Sequence, residues 1–160
     1  MYIQILLTQM KVEEIIKSNS YIGTEKKTVL NLLYTQNVIS DKINEALKDY
    51  GLSTEQFNVL RILRGQNGKP VNMSAIQERM IAKTSNTTRL VDKLLIKELV
   101  ERKVCKSNRR KIEINITQKG LELLLIIDPL IESYESKFAS NLTIEELKLF
   151  NKLLEKYRTL

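Results

Sequence analysis

The sequence of 160 residues predicts a mainly α-helical fold carrying one small β-hairpin. Three observations carry this expectation. Apolar residues recur at three- and four-residue steps along most of the chain, the period switches to strict alternation in one place, and Asn, Ser, Thr and Gly stand where the periods break. With 42% hydrophobic residues the chain can form a core of ordinary size, so one domain extended by helical arms is expected.

The first helix is expected at 25–48, where Val29, Leu32, Leu33, Ile39, Ile43 and Leu47 fall on one face. Gly51 ends it by taking the left-handed conformation that closes helices. Ser53 with Gln56 fits a capping box and opens a second helix pointing Phe57, Leu60 and Leu63 inward. Residues 65–70, Gly-Gln-Asn-Gly-Lys-Pro, read as a turn. Asn72 caps a short third helix over 73–80, with Ile76 and Met80 inside. Thr84 or Ser85 caps a fourth, running to about Glu98, whose buried stripe is Thr87, Leu90, Val91, Leu94 and Leu95. Two short helices so briefly connected are a helix-turn-helix candidate.

Past Val100 the period changes. Residues 111–116 alternate apolar and polar and read as a strand with one buried face; 100–106 can pair with it across Ser107, Asn108, Arg109 and Arg110, giving a hairpin with an exposed basic tip. Thr117 caps a long helix in which 123–127 are five consecutive apolar residues, and Leu130, Ile131, Tyr134 and Phe138 continue the inner face. Pro129 is expected to kink or interrupt it. A final helix opens with a capping box of Thr143 and Glu146 and is expected to bury Leu147, Phe150, Leu153, Leu154 and Tyr157. Five apolar residues in a row cover a helix on every side, which a second copy of the chain would satisfy. The expected organisation is an N-terminal arm at 1–24, a dimerisation helix at 25–50, a winged helix-turn-helix domain at 51–120 and C-terminal dimerisation helices at 121–160.

The formal charge is +7, and its placement is more telling than its sum. Residues 79–111 hold eleven Lys and Arg against three acids, a local +8 that leaves the remainder at −1. Such concentration is the footprint of a surface that displaces counterions from phosphates. Histidine is absent, which removes the commonest general base and metal ligand, and no nucleophile stands beside a base. Gly65-Gln-Asn-Gly-Lys has the wrong glycine spacing for a phosphate loop, and Pro70 follows Gly68-Lys69 where Ser or Thr would hold magnesium. No catalytic activity, cofactor or metal is expected. The single Cys105 cannot form an intramolecular disulfide and has no second cysteine to resolve a sulfenic acid. The opening nine residues lack a basic stretch and are too short to span a bilayer, so a reducing cytoplasm is expected and a membrane partner is not.

From Leu52 to Leu121 the chain resembles the MarR family of bacterial regulators. Leu52-Ser-Thr-Glu-Gln-Phe-Asn-Val-Leu60 is similar to the family's second helix, and Ser85-Asn-Thr-Thr-Arg-Leu-Val-Asp-Lys-Leu94 with Leu99-Val-Glu-Arg102 to its recognition helix and first wing strand. Asn108-Arg-Arg110 and Ile116-Thr-Gln-Lys-Gly120 are similar to the wing tip and the start of the following helix. Asn108 departs from the aspartate usual at its position, which leaves more of the wing's positive charge uncompensated. The resemblance implies that 85–95 lies in a major groove of double-stranded DNA. With the apolar stripe inward, Ser85, Asn86, Thr88, Arg89 and Lys93 face out. Asn86 and Arg89 are assigned to base reading, because Asn suits adenine and Arg suits guanine, and Ser85, Thr88 and Lys93 to phosphates or base edges. Arg109 and Arg110 suit the negative potential of the minor groove, with Lys106 and Lys111 on flanking phosphates. The excess apolar surface leads to a homodimer whose two-fold axis matches a pseudo-palindromic operator, and a repressor is expected because occluding a promoter requires only binding. The resemblance further implies a small aromatic ligand between the arms and the winged domain. The rival expectations are an architectural nucleic-acid binder without sequence preference and a dimeric protein-interaction module.

Overall fold

The structure, a computed structural model, describes residues 10–83, 85–105 and 108–159, with backbone alone at 105 and 108–111. Among the described residues it holds seven helices and one two-stranded antiparallel sheet. Two compact units divide the chain, Met1–Lys42 and Ile43–Leu160.

In the first unit α1 (Val12–Ile15) precedes most of α2 (Thr24–Lys48). Val12 is buried, and Lys27 Nζ meets Glu13 Oε1 at 2.6 Å. That hydrogen bond holds the Glu13 carboxyl below its ordinary range.

In the second unit the last turn of α2 puts Ala46 and Leu47 into the core. Gly51, at φ +61°, closes it: the Gly51 N–H donates to Lys48 O at 2.9 Å and the Leu52 N–H to Leu47 O at 3.2 Å. These paired bonds satisfy carbonyls that a helix end leaves orphaned. Helix α3 (Thr54–Arg64) opens with the expected capping box, the Gln56 N–H donating to Ser53 Oγ at 3.2 Å and the Ser53 N–H to Gln56 Oε1 at 3.0 Å. Asn72 caps α4 (Met73–Arg79) by accepting from the Ala75 N–H at 2.8 Å.

Helix α5 (Thr87–Ile96) starts later than the sequence reading has it. Its cap is Asn86, whose Oδ1 accepts from the Arg89 N–H at 3.1 Å; Ser85 lies in the preceding turn, its N–H on Ala82 O, and Thr84 lies outside the described residues. The cap therefore falls one or two residues beyond Thr84 or Ser85, where the sequence reading puts it, and Thr87, the first helical residue, is buried. The inward stripe is otherwise as expected: Thr87, Val91 and Leu94 are buried and Leu90 and Leu95 half-buried.

Strands β1 (Val100–Cys105) and β2 (Asn108–Ile116) form the hairpin, and Val71 adds an isolated bridge to Ile114. The expected loop at 107–110 is shorter than that. Asn108, Arg109 and Arg110 belong to β2, where Val104 faces Ile112 and Cys105 faces Asn108, so 109–111 have no counterpart on β1. A bulge of this kind bends and twists a strand. Nor is one whole face of the hairpin buried: Val100 and Ile114 are, but Val104 is 60% and Ile112 47% exposed, because the outer half of the hairpin reaches past the core.

Thr117 joins the hairpin to α6 (Gln118–Ala139), its hydroxyl donating to Glu98 O and accepting from the Gly120 N–H. A Cβ on Gly120 would stand 2.3 Å from Leu99 O, so this approach admits only glycine. Pro129 does not interrupt α6. The N–H it lacks would have bonded Leu125, which is 71% exposed, so water can take that place. Leu124, Ile127 and Ile131 are buried, whereas Leu125 and Ile126 face out.

Helix α7 (Ile144–Tyr157) has the expected capping box at Thr143 and Glu146, but the expected burial is absent. No residue of α7 is buried: Leu147 and Leu154 are half-buried, and Phe150, Leu153 and Tyr157 are exposed. Phe150, Leu153 and Tyr157 of that stripe are thus left open to solvent.

Candidate nucleic-acid interface

Helices α4 and α5, with the connection between them, form a helix-turn-helix packed on α3, and the hairpin follows as a wing. Apolar contacts set the layers. Ile76 and Met80 from α4, Val91 and Leu94 from α5, and Phe57, Leu60 and Leu63 from α3 share one core with Leu99, Val100 and Ile114. Burial of that stripe leaves the opposite side of α5 to solvent, where Asn86, Thr88, Arg89 and Lys93 are exposed and Ser85 is half-buried. These five expected contacts therefore lie together on one polar surface. An open groove lined by Ser74, Gln77, Glu78, Ser85, Asn86 and Thr88 runs beside it.

Asn86 is also the helix cap. Its Oδ1 accepts the cap bond, while its Nδ2 is a donor outside that bond. Asp92, on the exposed side of α5, accepts from Arg102 of β1 at 2.8 Å and ties the helix to the wing.

The C-terminal end of α5 is fastened as firmly. Leu99 N–H donates to Leu94 O at 3.0 Å and Glu98 N–H to Leu95 O at 2.9 Å, the same paired closure as at Gly51. Here a glutamate occupies the left-handed position, at φ +61°. Its carboxylate meets Lys119 Nζ at 2.8 Å, and that hydrogen bond, with the lysine's charge, holds the Glu98 carboxyl below its ordinary range. Lys97 Nζ donates to Gly51 O at 2.7 Å, so the two closures are linked.

Of the expected wing contacts, Arg109, Arg110 and Lys111 are placed by their backbone in the β2 bulge, and Lys106 lies outside the described residues. Sequence reasoning missed the residues that fix the turn: Asn58 Oδ1 accepts from the Ile81 N–H, and Gln77 bridges α4 to the start of α5. The one signal for Gln77 was a polar residue beside Ile76 on a short helix whose other inward positions are apolar.

A wing beside an exposed polar helix defines a winged helix-turn-helix protein, and the comparisons agree. The MarR family model matches residues 52–112. The HTH-type transcriptional regulator MhqR of Bacillus subtilis is 30% identical over 135 residues, covering 83% of this chain and 92% of that protein. A MarR transcription factor from Planctomyces limnophilus superposes with a TM-score of 0.65 at 26% identity, over 85% of this chain and 98% of that one. A point mutant of S. aureus MepR, bound to an oligodeoxyribonucleotide, shares the fold at a TM-score of 0.54 and 20% identity, over 81% and 94% of the two chains. This chain belongs to the MarR family. It is a DNA-binding transcriptional regulator, like its relatives, and not an enzyme. Among the described residues no helix is long and apolar enough to cross a membrane.

Proposed function

We propose that the chain is a cytoplasmic, sequence-specific repressor that binds a pseudo-palindromic operator as a homodimer. Arg89 reads a guanine through O6 and N7, and Asn86 donates from Nδ2 to a neighbouring base edge. Ser85, Thr88 and Lys93 hold phosphates or base edges, Arg109 and Arg110 enter the minor groove, and Lys106 and Lys111 sit on flanking phosphates. The observation that carries this reading is the outer face at α5 and its cap: Asn86, Thr88, Arg89 and Lys93 are exposed, on a helix tied to the wing through Asp92 and Arg102. The DNA-bound MepR mutant, which shares the fold, supports the choice of ligand.

The homodimer is supported by Leu125 and Ile126 on α6 and by Phe150, Leu153 and Tyr157 on α7, an apolar surface that a second copy would cover. Repression follows from occlusion, since covering a promoter requires only binding. By its family resemblance the chain is released by a small aromatic ligand that shifts the spacing of the two recognition helices.

Selection from a random duplex library by the full chain tests the reading. An enriched inverted repeat, bound about a thousandfold or more tighter than scrambled DNA at physiological salt, is the expected result. Salt-dependent binding with no enriched sequence would make the protein an architectural binder. No retardation at physiological salt would make it a protein-interaction module.

A further inference from the structure

We propose that Gln77 is a positioning residue for base reading, its amide bracing the first turn of α5 against α4 so that Asn86, Thr88 and Arg89 meet base edges in register. The inference rests on the DNA-binding reading above. Gln77 lies on α4, and its amide makes two bonds of opposite sense. Nε2 donates to Lys83 O at 2.7 Å, in the connection between the helices, and Oε1 accepts from the Thr87 hydroxyl. Thr87 is the first residue of α5, only 3% exposed, and it stands between Asn86 and Thr88.

Apolar packing alone would hold α5 less sharply. The contacts of Ile76, Val91 and Leu94 are favourable over a range of rotations, because burial of apolar surface has no direction. Hydrogen bonds have one. Only one orientation of the Gln77 amide satisfies both partners, since the reverse sets Oε1 against the Lys83 carbonyl. Asn58, from α3, fixes the other end of the connection by accepting from the Ile81 N–H at 3.2 Å. The turn is therefore held near both ends by side-chain amides, and the one at the α5 end acts on the residue beside the helix cap.

Base-edge hydrogen bonds need close geometry, whereas Lys and Arg reach phosphates through long, adaptable side chains. Releasing the brace should therefore lower discrimination and spare sequence-independent affinity. Thr87→Val removes the hydroxyl at constant shape, Thr87→Ser keeps it, and Gln77→Met removes both amide bonds at similar length. Affinity of each full-length variant, and of the Gln77→Met/Thr87→Val double, is measured for the selected operator and a scrambled duplex across a salt series. Thr87→Val and Gln77→Met should each lower the operator-over-scrambled ratio about five- to tenfold, the order expected of one net hydrogen bond. Scrambled affinity and salt slope should stay as in the parent, Thr87→Ser should retain discrimination, and the double should be no worse than Gln77→Met alone. Unchanged ratios, equal losses on both duplexes, or Thr87→Ser as damaging as Thr87→Val would overturn the proposal. Should Gln77→Met fail to fold, the contrast between the valine and serine variants decides. A parent chain with no operator preference sinks the DNA reading and this inference with it; a discriminating parent whose variants discriminate equally well sinks this inference alone.

Discussion

Helix α5 buries Thr87, Val91 and Leu94 and shows solvent the polar row of Asn86, Thr88, Arg89 and Lys93; α7, also amphipathic, buries nothing and shows Phe150, Leu153 and Tyr157. Each helix has one face left over, and the chemistry of that face names its partner. A polar, basic surface on a helix locked at both ends by hydrogen bonds suits a polyanion that must be met at fixed geometry. An apolar surface of large side chains suits another apolar surface, and a two-fold copy supplies one of matching shape.

The comparison breaks most visibly at α7. Leu153→Glu should weaken self-association by on the order of 4 kcal/mol, about a thousandfold, since two symmetry-related leucines lose their burial together. Sedimentation should show monomer while the far-ultraviolet melting curve keeps its cooperative transition. A variant that stays dimeric would mean that α7 does not take part in the interface between copies.

Arg89→Ala sharpens the other half of the contrast. It should cost about 1–3 kcal/mol in operator affinity and relax preference at one base position, with scrambled DNA little affected. Uniform weakening across sequences, with a shallower salt slope, would make Arg89 a phosphate contact.

The smallest effect falls where α5 ends. Glu98 holds a left-handed backbone that glycine adopts freely, so Glu98→Gly should raise the melting temperature by a few degrees. The depressed Glu98 carboxyl gives stability that is present above its unfolded pKa and fades as pH falls through its folded value. The parent therefore loses that contribution in acid while the variant has none to lose, and the gap between their melting temperatures should widen from pH 7 towards pH 4. A gap that stays the same across that range would mean the ion pair with Lys119 contributes nothing.

Local chemistry was what the sequence displayed best. Ser53 with Gln56, Asn72, Thr117 and Thr143 with Glu146 cap the helices they were expected to cap, because a cap is settled within three residues. At the start of α5 the local rule points to Thr84 or Ser85, whereas the cap is Asn86, next to the buried Thr87. The bridges Gln77 to Thr87, Asp92 to Arg102 and Val71 to Ile114 join residues ten or more apart and leave no mark on any period. Periodicity likewise showed that α7 has an apolar face without showing whose surface would cover it. The polar face of α5 was legible for a simpler reason: once the apolar positions of an amphipathic helix are assigned inward, the rest must point out.

The central claim is that two chains present their α5 helices together to one duplex. Its most direct test is the stoichiometry and cleavage-protection pattern of the complex with the selected operator. The account predicts two chains per duplex and two protected half-sites related by a two-fold axis, their centres about one helical turn apart. One chain per duplex, or a single unsymmetrical protected patch, would contradict it.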